Sequence, residues 1–557
     1  MSRVAWFAAV CLLVGGVAGP AVGATTESTD VAVDGRTDAA QPFQPAITAV
    51  YPNPVADGDR GEFVVLAFPN GTDIGRYELT DADGTLSFPN ATVGGRVAVT
   101  TAPTVVRNRT DYRVVDADGS VALANGGDRL RLIRGNTTVT SARYRDAPEG
   151  EIGRFDDRGA LTWRPLGRTN RSVVTATGGK ARAFTLPDAP DVPLEVVRDA
   201  DRRILLAGYT FTSERTAETL ERAADRGVDV HVLLEGQPVD GITRRQARLL
   251  DSLTEAGVTV ELLGGPHGRY AYHHPKYAVA DDRAVVLTEN WKPAGTGGHA
   301  SRGWGAVVSQ SEIVGGLAET FRADADWRGA RPWTEVRRGR SFGTSGVANG
   351  SYPSQRSPET VPVNRTRLLV TPDNAGSEVT AALDDADESI DVIQMSIDGP
   401  DQRFLRATVR AARRGVDVRV LLSSAWYVEE ENRRLVEHLR GVADREDLPL
   451  SAKLAEPGGD YEKIHAKGVV VDGDEVLLGS LNWNGESIRQ NREVVLALEG
   501  EAVGAYYRDA FESDWGGDAG RPLPVGIVAG VAGCLVLALL VVRRIDFGPD
   551  VGIGPDR

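Results

Sequence analysis

An internal duplication constrains the fold of this chain more strongly than any other feature of its sequence. The segments Ala223–Leu234 and Ala411–Leu422 share the phrase Arg-Gly-Val-Asp-Val and then continue into an apolar run. In each copy the pattern predicts an amphipathic helix that ends at the glycine and a buried strand that follows it. We therefore expect two related α/β units, residues 190–333 and 364–516, joined by a linker at 334–363 that is rich in Ser, Gly, Pro and Arg.

Each predicted unit also contains one copy of a polar octapeptide, H-x-K-x-x-x-x-D, followed by an apolar run and Asn-Trp. Residues two apart in an extended strand project to the same face, so the His and Lys of each copy should stand side by side at the rim of a buried strand. Chance is a poor explanation for two such copies in 557 residues with seven histidines and six lysines. The two copies supply the candidate catalytic residues His274, Lys276, Asp281, His465, Lys467 and Asp472.

The residue types of the octapeptide suit chemistry at a phosphoryl group. A histidine at such a rim can attack as a nucleophile or transfer a proton near neutral pH. A lysine beside it provides a positive charge for a phosphoryl oxygen. His273 precedes His274 and suggests a metal pair, but adjacent residues on a strand face opposite ways, so the metal interpretation is disfavoured.

The paired motifs resemble those of the phospholipase D superfamily. The second copy is complete, because Asp472 is followed by Gly479-Ser480-x-Asn482, by Ser487 and by Asn491-Arg492-Glu493. The resemblance implies two α/β/α units, each with a mixed central sheet, that are related by a pseudo-twofold axis. It also implies that both motifs line one cleft at the junction of the units.

The same resemblance implies a two-step displacement at phosphorus. His274 would be the nucleophile and form a phosphohistidine, while His465 would protonate the leaving group and then activate water or an alcohol. No cofactor or metal is implied, since two lysines would neutralise the phosphoryl oxygens. The other candidates would bind phosphate or orient the catalytic groups: Asn290, Asn482, Thr288, Ser480, Glu493, Asp281 and Asp472.

The first copy departs from the complete pattern. Leu287-Thr288 replaces Gly-Ser, and Ser301-Arg302-Gly303 stands where the second unit has Asn491-Arg492-Glu493. We therefore expect the first unit to lack its orienting carboxylate. Activity is still expected because His274 and Lys276 are present, with reduced or altered activity as the alternative.

Residues 46–180 have a different pattern, in which short alternating runs are separated by Asp-Gly, Asn-Gly and Gly-Gly turns. This pattern predicts an all-β sandwich. The segments Tyr51–Pro54, Glu62–Leu66 and Leu123–Leu130 resemble the lamin-tail-like domain, an immunoglobulin-like sandwich used mostly as an accessory or binding module. A structural spacer and a ligand-binding module both remain open, since fold alone does not give function.

The terminal segments predict a single-pass membrane protein whose bulk lies outside the cell. Residues 1–24 fit a secretory signal peptide, with an uncleaved anchor as the alternative, and residues 25–45 fit a disordered spacer. Residues 522–542 fit a transmembrane helix, and the tail at 543–557 begins with Arg543-Arg544, which favours a cytoplasmic end.

Composition bears on habitat and partners. The net charge is −15, and 57 arginines stand against six lysines, a balance that resembles proteins from salt-loving microbes. High salt removes the counterion-release contribution to nucleic-acid binding, so bulk charge argues against that partner.

Three functions remain open at this point. The first is a membrane-anchored phosphodiesterase or phosphatidyltransferase acting on a phospholipid outside the cell. The second is a secreted nuclease of the same superfamily, and the third is a non-catalytic surface binding protein; protein partners are unknown. Trp426 and Tyr427 follow a predicted strand at a sheet edge where ligands gather, although packing at the rim explains them equally well.

Overall fold

The computed structural model describes residues 44–55, 60–81, 83–264 and 268–516. The predicted signal peptide, the transmembrane segment 522–542, the tail 543–557 and nearly all of the spacer 25–45 lie outside these residues. Within the described part of the chain, no helix is both long and apolar enough to cross a membrane.

The N-terminal region is rich in β-structure, as predicted, and its strands form two sheets that share one core. The sheet orders are β11-β10-β1-β2-β5-β6 and β7-β4-β3-β8-β9. Val64 and Leu66 of the first sheet pack in one cluster with Leu130 and Leu132 of the second, because alternate residues of each strand face inward. The elements are β1 Ala46–Tyr51, β2 Phe63–Asp73, β3 Tyr77–Thr80, β4 Thr85–Ser87, β5 Thr92–Thr100, α1 Pro103–Arg107, β6 Arg113–Asp116, β7 Asp118–Gly119, β8 Gly127–Arg134, β9 Thr137–Arg145, β10 Glu151–Phe155 and β11 Leu161–Pro165.

The strands correct the predicted domain boundaries. The sandwich ends at Pro165, and β12 (Val174–Thr177) pairs with a strand of the second α/β unit. The next strand, β13 (Lys180–Leu186), pairs with strands of the first unit, so that unit begins before the predicted residue 190. Sequence alternation identifies a strand but not the sheet that accepts it, and this explains the misplaced boundary.

The first α/β unit is built on a mixed sheet with the main order β20-β16-β15-β14-β17-β18-β19-β13-β21. Its β14, β15 and β16 are parallel, and helix α3 between β14 and β15 begins at the N-cap Ser213. The last strand, β21, lies inside the predicted linker. The elements after β13 are α2 Val192–Arg198, β14 Arg203–Gly208, α3 Glu214–Asp225, β15 Asp229–Glu235, α4 Arg244–Glu255, β16 Thr259–Leu263, β17 Tyr277–Ala280, β18 Arg283–Leu287, β19 Ser301–Val308, α5 Ser311–Ala325, β20 Ala330–Pro332, α6 Trp333–Val336 and β21 Glu359–Pro362.

The second unit repeats this plan with the sheet order β12-β22-β29-β28-β27-β23-β24-β25. The predicted α/β duplication is thus confirmed, and the repeated glycine ends its helix as expected, since Gly415 caps α8 with φ +100°. The elements are β22 Arg365–Val370, α7 Ala375–Asp384, β23 Ser389–Gln394, α8 Arg403–Arg414, β24 Asp417–Leu422, α9 Glu429–Glu446, β25 Leu450–Leu454, β26 Lys463–Ile464, β27 Lys467–Val471, β28 Glu475–Gly479, α10 Gly485–Arg489, β29 Val494–Glu499 and α11 Glu501–Gly516.

One core joins the two units. Leu317 and Phe321 of α5 belong to the same buried cluster as Tyr507 and Phe511 of α11, together with residues from both sheets. The outer face of each sheet is covered by that unit's other helices, α2 to α4 in the first unit and α7 to α9 in the second. Each sheet therefore has helices on both faces. The inner faces, with α5 and α11, pack on each other in the shared core.

Candidate active site

Reciprocal contacts between the units bring the two motifs together. The backbone N–H of His274 donates to the carbonyl of Arg492, and the N–H of His465 donates to the carbonyl of Arg302, both at 3.0 Å. β26, directly before His465, pairs in parallel with the start of β19. Each histidine is thereby fixed against the backbone of the opposite unit, and the two motifs meet at the junction, where each histidine feels the charge of the other unit's lysine.

His274 is anchored by a carboxylate from the second unit. Its Nδ1 lies 2.8 Å from Oε2 and 3.0 Å from Oε1 of Glu493, as expected for an orienting group. The ring of Tyr209 packs edge-on against the imidazole at 4.7 Å. The side chain keeps 11% of its surface exposed, so with Nδ1 held by Glu493 the Nε2 atom is the one available to a substrate.

His465 is anchored by a carboxylate that sequence comparison missed. Its Nδ1 lies 3.3 Å from Oε2 of Glu289 and 3.2 Å from the carbonyl of Thr288. Glu289 is 2% exposed and belongs to the first unit. Each histidine is therefore paired with a glutamate from the other unit, and the expectation that the first unit lacks its carboxylate is wrong.

Gly303 explains why the two glutamates occupy different sequence positions. Gly303 is the counterpart of Glu493, and a Cβ added at Gly303 would lie 2.3 Å from Cγ of Glu289. A Cβ at Gly295 would lie 2.5 Å from Oε2 of the same side chain. The two glycines leave the space that Glu289 fills, and a charged residue inside the apolar run before Asn290 was the sequence signal for it.

The two motif lysines are buried beside the histidines. Lys276 Nζ donates to the carbonyl of His274 at 2.8 Å, and Lys467 Nζ donates to that of His465 at 2.7 Å. Burial lowers the pKa of Lys276 well below its ordinary value, against the raising effect of Glu493. Each lysine is therefore close enough to the glutamates for their charge to raise its pKa against the effect of burial.

With pKa values of about 4, both imidazoles are neutral near pH 7. Burial lowers the pKa of His274 to about 4, although Glu493 acts in the opposite direction. Burial and then Lys467 lower the pKa of His465 to about 4 as well. A neutral imidazole is the nucleophilic form, and an anionic phosphodiester in the cleft would raise the pKa of His465 so that it takes up the proton it must donate.

The pH dependence of catalysis should be limited on the alkaline side by the lysines. Burial lowers the pKa of Lys467 to about 8, even though Glu289 and Glu493 raise it. Since kcat/KM reports the free enzyme, we expect kcat/KM for a non-titrating phosphodiester to fall as the pH rises through about 8. A pH–rate profile that stays flat to about pH 10, near the ordinary lysine pKa, would contradict this assignment.

Asp281 and Asp472 do not belong to the catalytic cluster, which corrects their predicted catalytic role. The carboxylate of Asp281 accepts backbone N–H groups from Asp201, Arg202 and Arg203, at the end of β17 opposite the lysine. Asp472 accepts the N–H groups of residues 387–389 in the same way. Both have a positive φ, +53° and +48°, so they hold the turn that follows the motif strand.

Substituting Asp281 should therefore impair stability and leave catalysis intact. Burial opposes ionisation, but the three N–H donors lower the pKa of Asp281 below its ordinary value. We expect Asp281→Ala to reduce the free energy of unfolding by about 2 to 3 kcal/mol, because these charge-assisted hydrogen bonds are lost. Denaturant titration measures the change, and kcat/KM should stay within about threefold. A large loss of kcat/KM at unchanged stability would restore the catalytic role.

The remaining predicted residues divide into two kinds. Thr288 Oγ1 accepts the N–H of Trp304, and Ser480 Oγ accepts the N–H of Val494, both at 2.9 Å, so these hydroxyls fix the adjoining strands. In the described chain, the side chains of Asn290 and Asn482 have no hydrogen-bond partner. The two amides are therefore free to bind phosphoryl oxygens, as the resemblance implies.

Two buried arginines lock the units around the cleft, and sequence analysis missed both. Arg492 of the second unit bonds Asp324 of the first at 3.0 Å and Asp373 of its own unit at 3.1 Å. Arg302 of the first unit reciprocally bonds Asp514 and Asp188. The phrase Phe-x-x-Asp, present at Phe321 and Phe511, contains the two interface aspartates, Asp324 and Asp514.

Residues near the cleft show no arrangement typical of a metal centre. Within the described ranges, no group of three or more His, Cys, Asp or Glu side chains is placed to hold a metal ion. His273 is buried on the opposite face from His274 and lies 3.7 Å from Asp324. His267, in the predicted loop before the first motif, lies outside the described residues.

Comparisons with known proteins match both α/β units. The family model described as cardiolipin synthase, PLD-like domain, matches residues 194–327 and 379–515, one segment in each unit. Mitochondrial cardiolipin hydrolase of Xenopus tropicalis is 29% identical over 143 residues, which are 26% of this chain and 62% of that protein. Cardiolipin synthase A of Escherichia coli (strain K12 / DH10B) is 31% identical over 106 residues, which are 19% of this chain and 20% of that protein.

Two solved structures are similar to parts of the chain at lower sequence identity. Phosphatidylserine synthase of Haemophilus influenzae Rd KW20 covers 60% of this chain and 86% of its own, with 15% identity and a TM-score of 0.45. Nuc, a phospholipase D family member of Salmonella typhimurium, covers 28% of this chain and 97% of its own, with 17% identity and a TM-score of 0.25. The resemblance of the N-terminal sheets to a lamin-tail-like domain stays a prediction.

Proposed function

We propose that this chain is a phosphodiesterase or phosphatidyltransferase that acts on a phospholipid through a phosphohistidine at His274. The observation that carries this proposal is the convergence of two carboxylate-anchored imidazoles and two buried lysines in one cleft. The site contains every group that a two-step displacement needs: a nucleophile, a proton donor, and positive charge for the phosphoryl oxygens.

The first step forms a bond between Nε2 of His274 and phosphorus while the bond to the leaving oxygen breaks. Nε2 of His465 gives its proton to that oxygen, and Lys276 and Lys467 neutralise the charge that builds on the non-bridging oxygens. In the second step, water or an alcohol transfers a proton to His465 and attacks phosphorus. The phosphorus–nitrogen bond then breaks, and His274 returns to its neutral form.

Exposed apolar side chains at the mouth of the cleft favour a lipid over a nucleic acid. Val239 is 63% exposed, Trp426 87% and Tyr427 42%; one further large apolar side chain in the described chain, Val347, is comparably exposed. Val239 and the two aromatic residues lie on equivalent loops, which follow β15 in the first unit and β24 in the second. Aromatic side chains in such positions suit the boundary between lipid and water.

Each loop contacts a residue that adjoins the catalytic cluster. The N–H of Val239 donates to the hydroxyl of Tyr209 at 2.7 Å, and Tyr209 packs on His274. Tyr427 lies under the ammonium group of Lys463 at 5.5 Å, close to His465 in sequence. Three glutamates, 429–431, follow Tyr427 directly. Their charge disfavours a nucleic-acid strand, which binds through neutralised phosphates.

Membrane attachment belongs to the same proposal. The signal-like segment 1–24 and the apolar segment 522–542 support an anchored protein with its cleft outside the cell. The names of the matched relatives, which concern cardiolipin and phosphatidylserine, support a phospholipid substrate.

The test compares substrates on one preparation of the full chain in detergent at high salt. Phosphatidylglycerol and cardiolipin vesicles, a bis-aryl phosphodiester, and single-stranded and duplex DNA are offered in parallel. We expect turnover of lipid and of the aryl diester without cleavage of DNA. Cleavage of DNA alone would establish the nuclease alternative, and turnover of none would establish the non-catalytic binding protein.

The lipid interface has a separate prediction. Trp426→Ser with Tyr427→Ser should lower kcat/KM on vesicles by about tenfold or more, because two interfacial anchors are removed, and should leave the soluble aryl diester unaffected. Val347→Ser, an exposed apolar side chain in the linker between the units, is the matched control. Equal losses on both substrates would show that the aromatic pair acts on the chemistry instead.

A further inference from the structure

A second cavity lies between the β-sandwich and the first α/β unit. It measures about 600 Å³ and is lined from the sandwich, from the segment 165–170 and from the first unit. None of the motif residues lines it. Five arginines surround it: Arg109, Arg154, Arg164, Arg168 and Arg269.

Few carboxylates lie close enough to these arginines to neutralise their positive charge. In the described ranges, Arg168 has one carboxylate contact, with Asp373 at the limiting distance of 4.0 Å, and the other four have none within that distance. Asp111 is the lone acidic side chain in the lining, and it pairs with Arg328, which lies outside it. The cavity therefore carries unbalanced positive charge in a chain whose net charge is −15.

The strand register places two of these arginines on the same face of the sheet. Arg154 on β10 pairs with Thr162, and Arg164 on β11 pairs with Ile152, so the two arginines are diagonal neighbours on one face. Two like charges on one face repel each other, and an anion bound between them would offset that repulsion. Because the pair lines a cavity, a bound anion has room to supply that compensation.

The opposite wall adds a guanidinium that is held on an aromatic ring, whose other face is covered by Arg328. The guanidinium of Arg269 lies 4.0 Å from the ring centroid of Trp327, and both residues line the cavity. Stacking of this kind fixes the plane of the guanidinium, whose forked donors match the oxygens of a phosphate group. The volume lies within the range of about 300 to 1,000 Å³ typical of pockets that hold small organic molecules.

We propose that this cavity, here called the arginine pocket, is a binding site for a phosphate group carried by a small organic molecule. Arg154 and Arg164 hold the phosphate oxygens, Arg269, fixed on Trp327, provides a third guanidinium, and the organic part occupies the remaining volume of the cavity. The proposal does not depend on the catalytic assignment, because the arginine pocket shares no side chain with the cleft.

The test is calorimetric titration of the full chain carrying His274→Asn, which prevents turnover, at constant chloride. The probes are inorganic phosphate, glycerol 3-phosphate and adenosine monophosphate. We expect saturable binding that Arg154→Gln with Arg164→Gln weakens by about tenfold or more. The tightest probe identifies the source of the group: a free phosphate, a lipid headgroup or a nucleotide.

A matched pair of arginines provides the control. Arg131 and Arg143 are diagonal neighbours on β8 and β9 in the same way, but they do not line the arginine pocket. Arg131→Gln with Arg143→Gln should leave binding unchanged. Equal losses from both double variants would indicate general charge attraction, and either that result or binding of none of the three probes would overturn the proposal. Turnover of the aryl diester by the Arg154 and Arg164 variant, with His274 intact, verifies folding.

Discussion

His465→Ala should release one equivalent of aryl alcohol from a bis-aryl phosphodiester in a rapid burst and then turn over at least about 10⁴-fold more slowly than the native chain. An aryl leaving group departs without a proton, so the attack by Nε2 of His274 survives the substitution. The second step then lacks its general base, and the phosphohistidine accumulates. Stopped-flow absorbance measures the burst and the steady rate on one preparation.

His274→Asn should show neither burst nor turnover, because no nucleophile remains. The two variants should behave differently because His274 is the nucleophile and His465 is the acid and base, although the two histidines have similar surroundings. A lipid substrate, whose alkoxide leaving group does need a proton, should give no burst with His465→Ala. A burst with His274→Asn would reverse the assignment of nucleophile and proton donor, and full activity in either variant would remove histidine catalysis from the account.

Removing the carboxylate that orients His465 should greatly reduce activity, and placing a carboxylate at residue 303 in the same variant should restore most of it. Glu289→Leu copies Leu481, its counterpart in the second unit, and should lower kcat by about 10²-fold or more, because His465 loses its orienting partner. Gly303→Glu alone should be destabilising, since its Cβ would lie 2.3 Å from Cγ of Glu289. The double variant places the carboxylate where Glu493 stands in the second unit and should recover to within about tenfold of the native kcat.

The pH profile shows whether Glu289 acts by orienting His465 or only by filling space. Glu289 raises the pKa of His465 against the dominant effect of burial, so Glu289→Leu should lower that pKa further and shift downward the acidic limb of kcat for the aryl diester, where His465 is the general base of the second step. The double variant should bring the limb back. Glu289→Gln, which keeps the shape and removes the charge, should shift the limb as Glu289→Leu does. A double variant no better than its parents would show that Glu289 acts through packing.

The sequence predicts most of the scaffold because the relevant signals are local. Repeated helix and strand patterns define the α/β units, and His-x-Lys on a strand places each pair at its rim. The sequence predicts only part of the reciprocal placement of Glu493 and Glu289. Comparing the two copies position by position shows that Gly303 stands where the second unit has a glutamate. It does not show that an adjoining loop refills the same space.

Other features depend on contacts between distant segments. The octapeptide has the same spacing in both copies, which suggests that Asp281 acts together with His274. A strand separates the two residues, however, and places them at its opposite ends. The interface pairs of Arg302 and Arg492 join separate units, and the strand β12 crosses into the second sheet. None of these follows from local periodicity, because each depends on which partner the tertiary fold supplies.

The most direct test of the central claim is identification of the covalent intermediate. His465→Ala is mixed with the aryl diester, quenched in alkali, where phosphohistidine is stable, and digested for mass spectrometry. The account predicts one phosphoryl adduct on the peptide that contains His274, and none when His274→Asn is added. An adduct on any other residue, or a burst without an adduct, would contradict it.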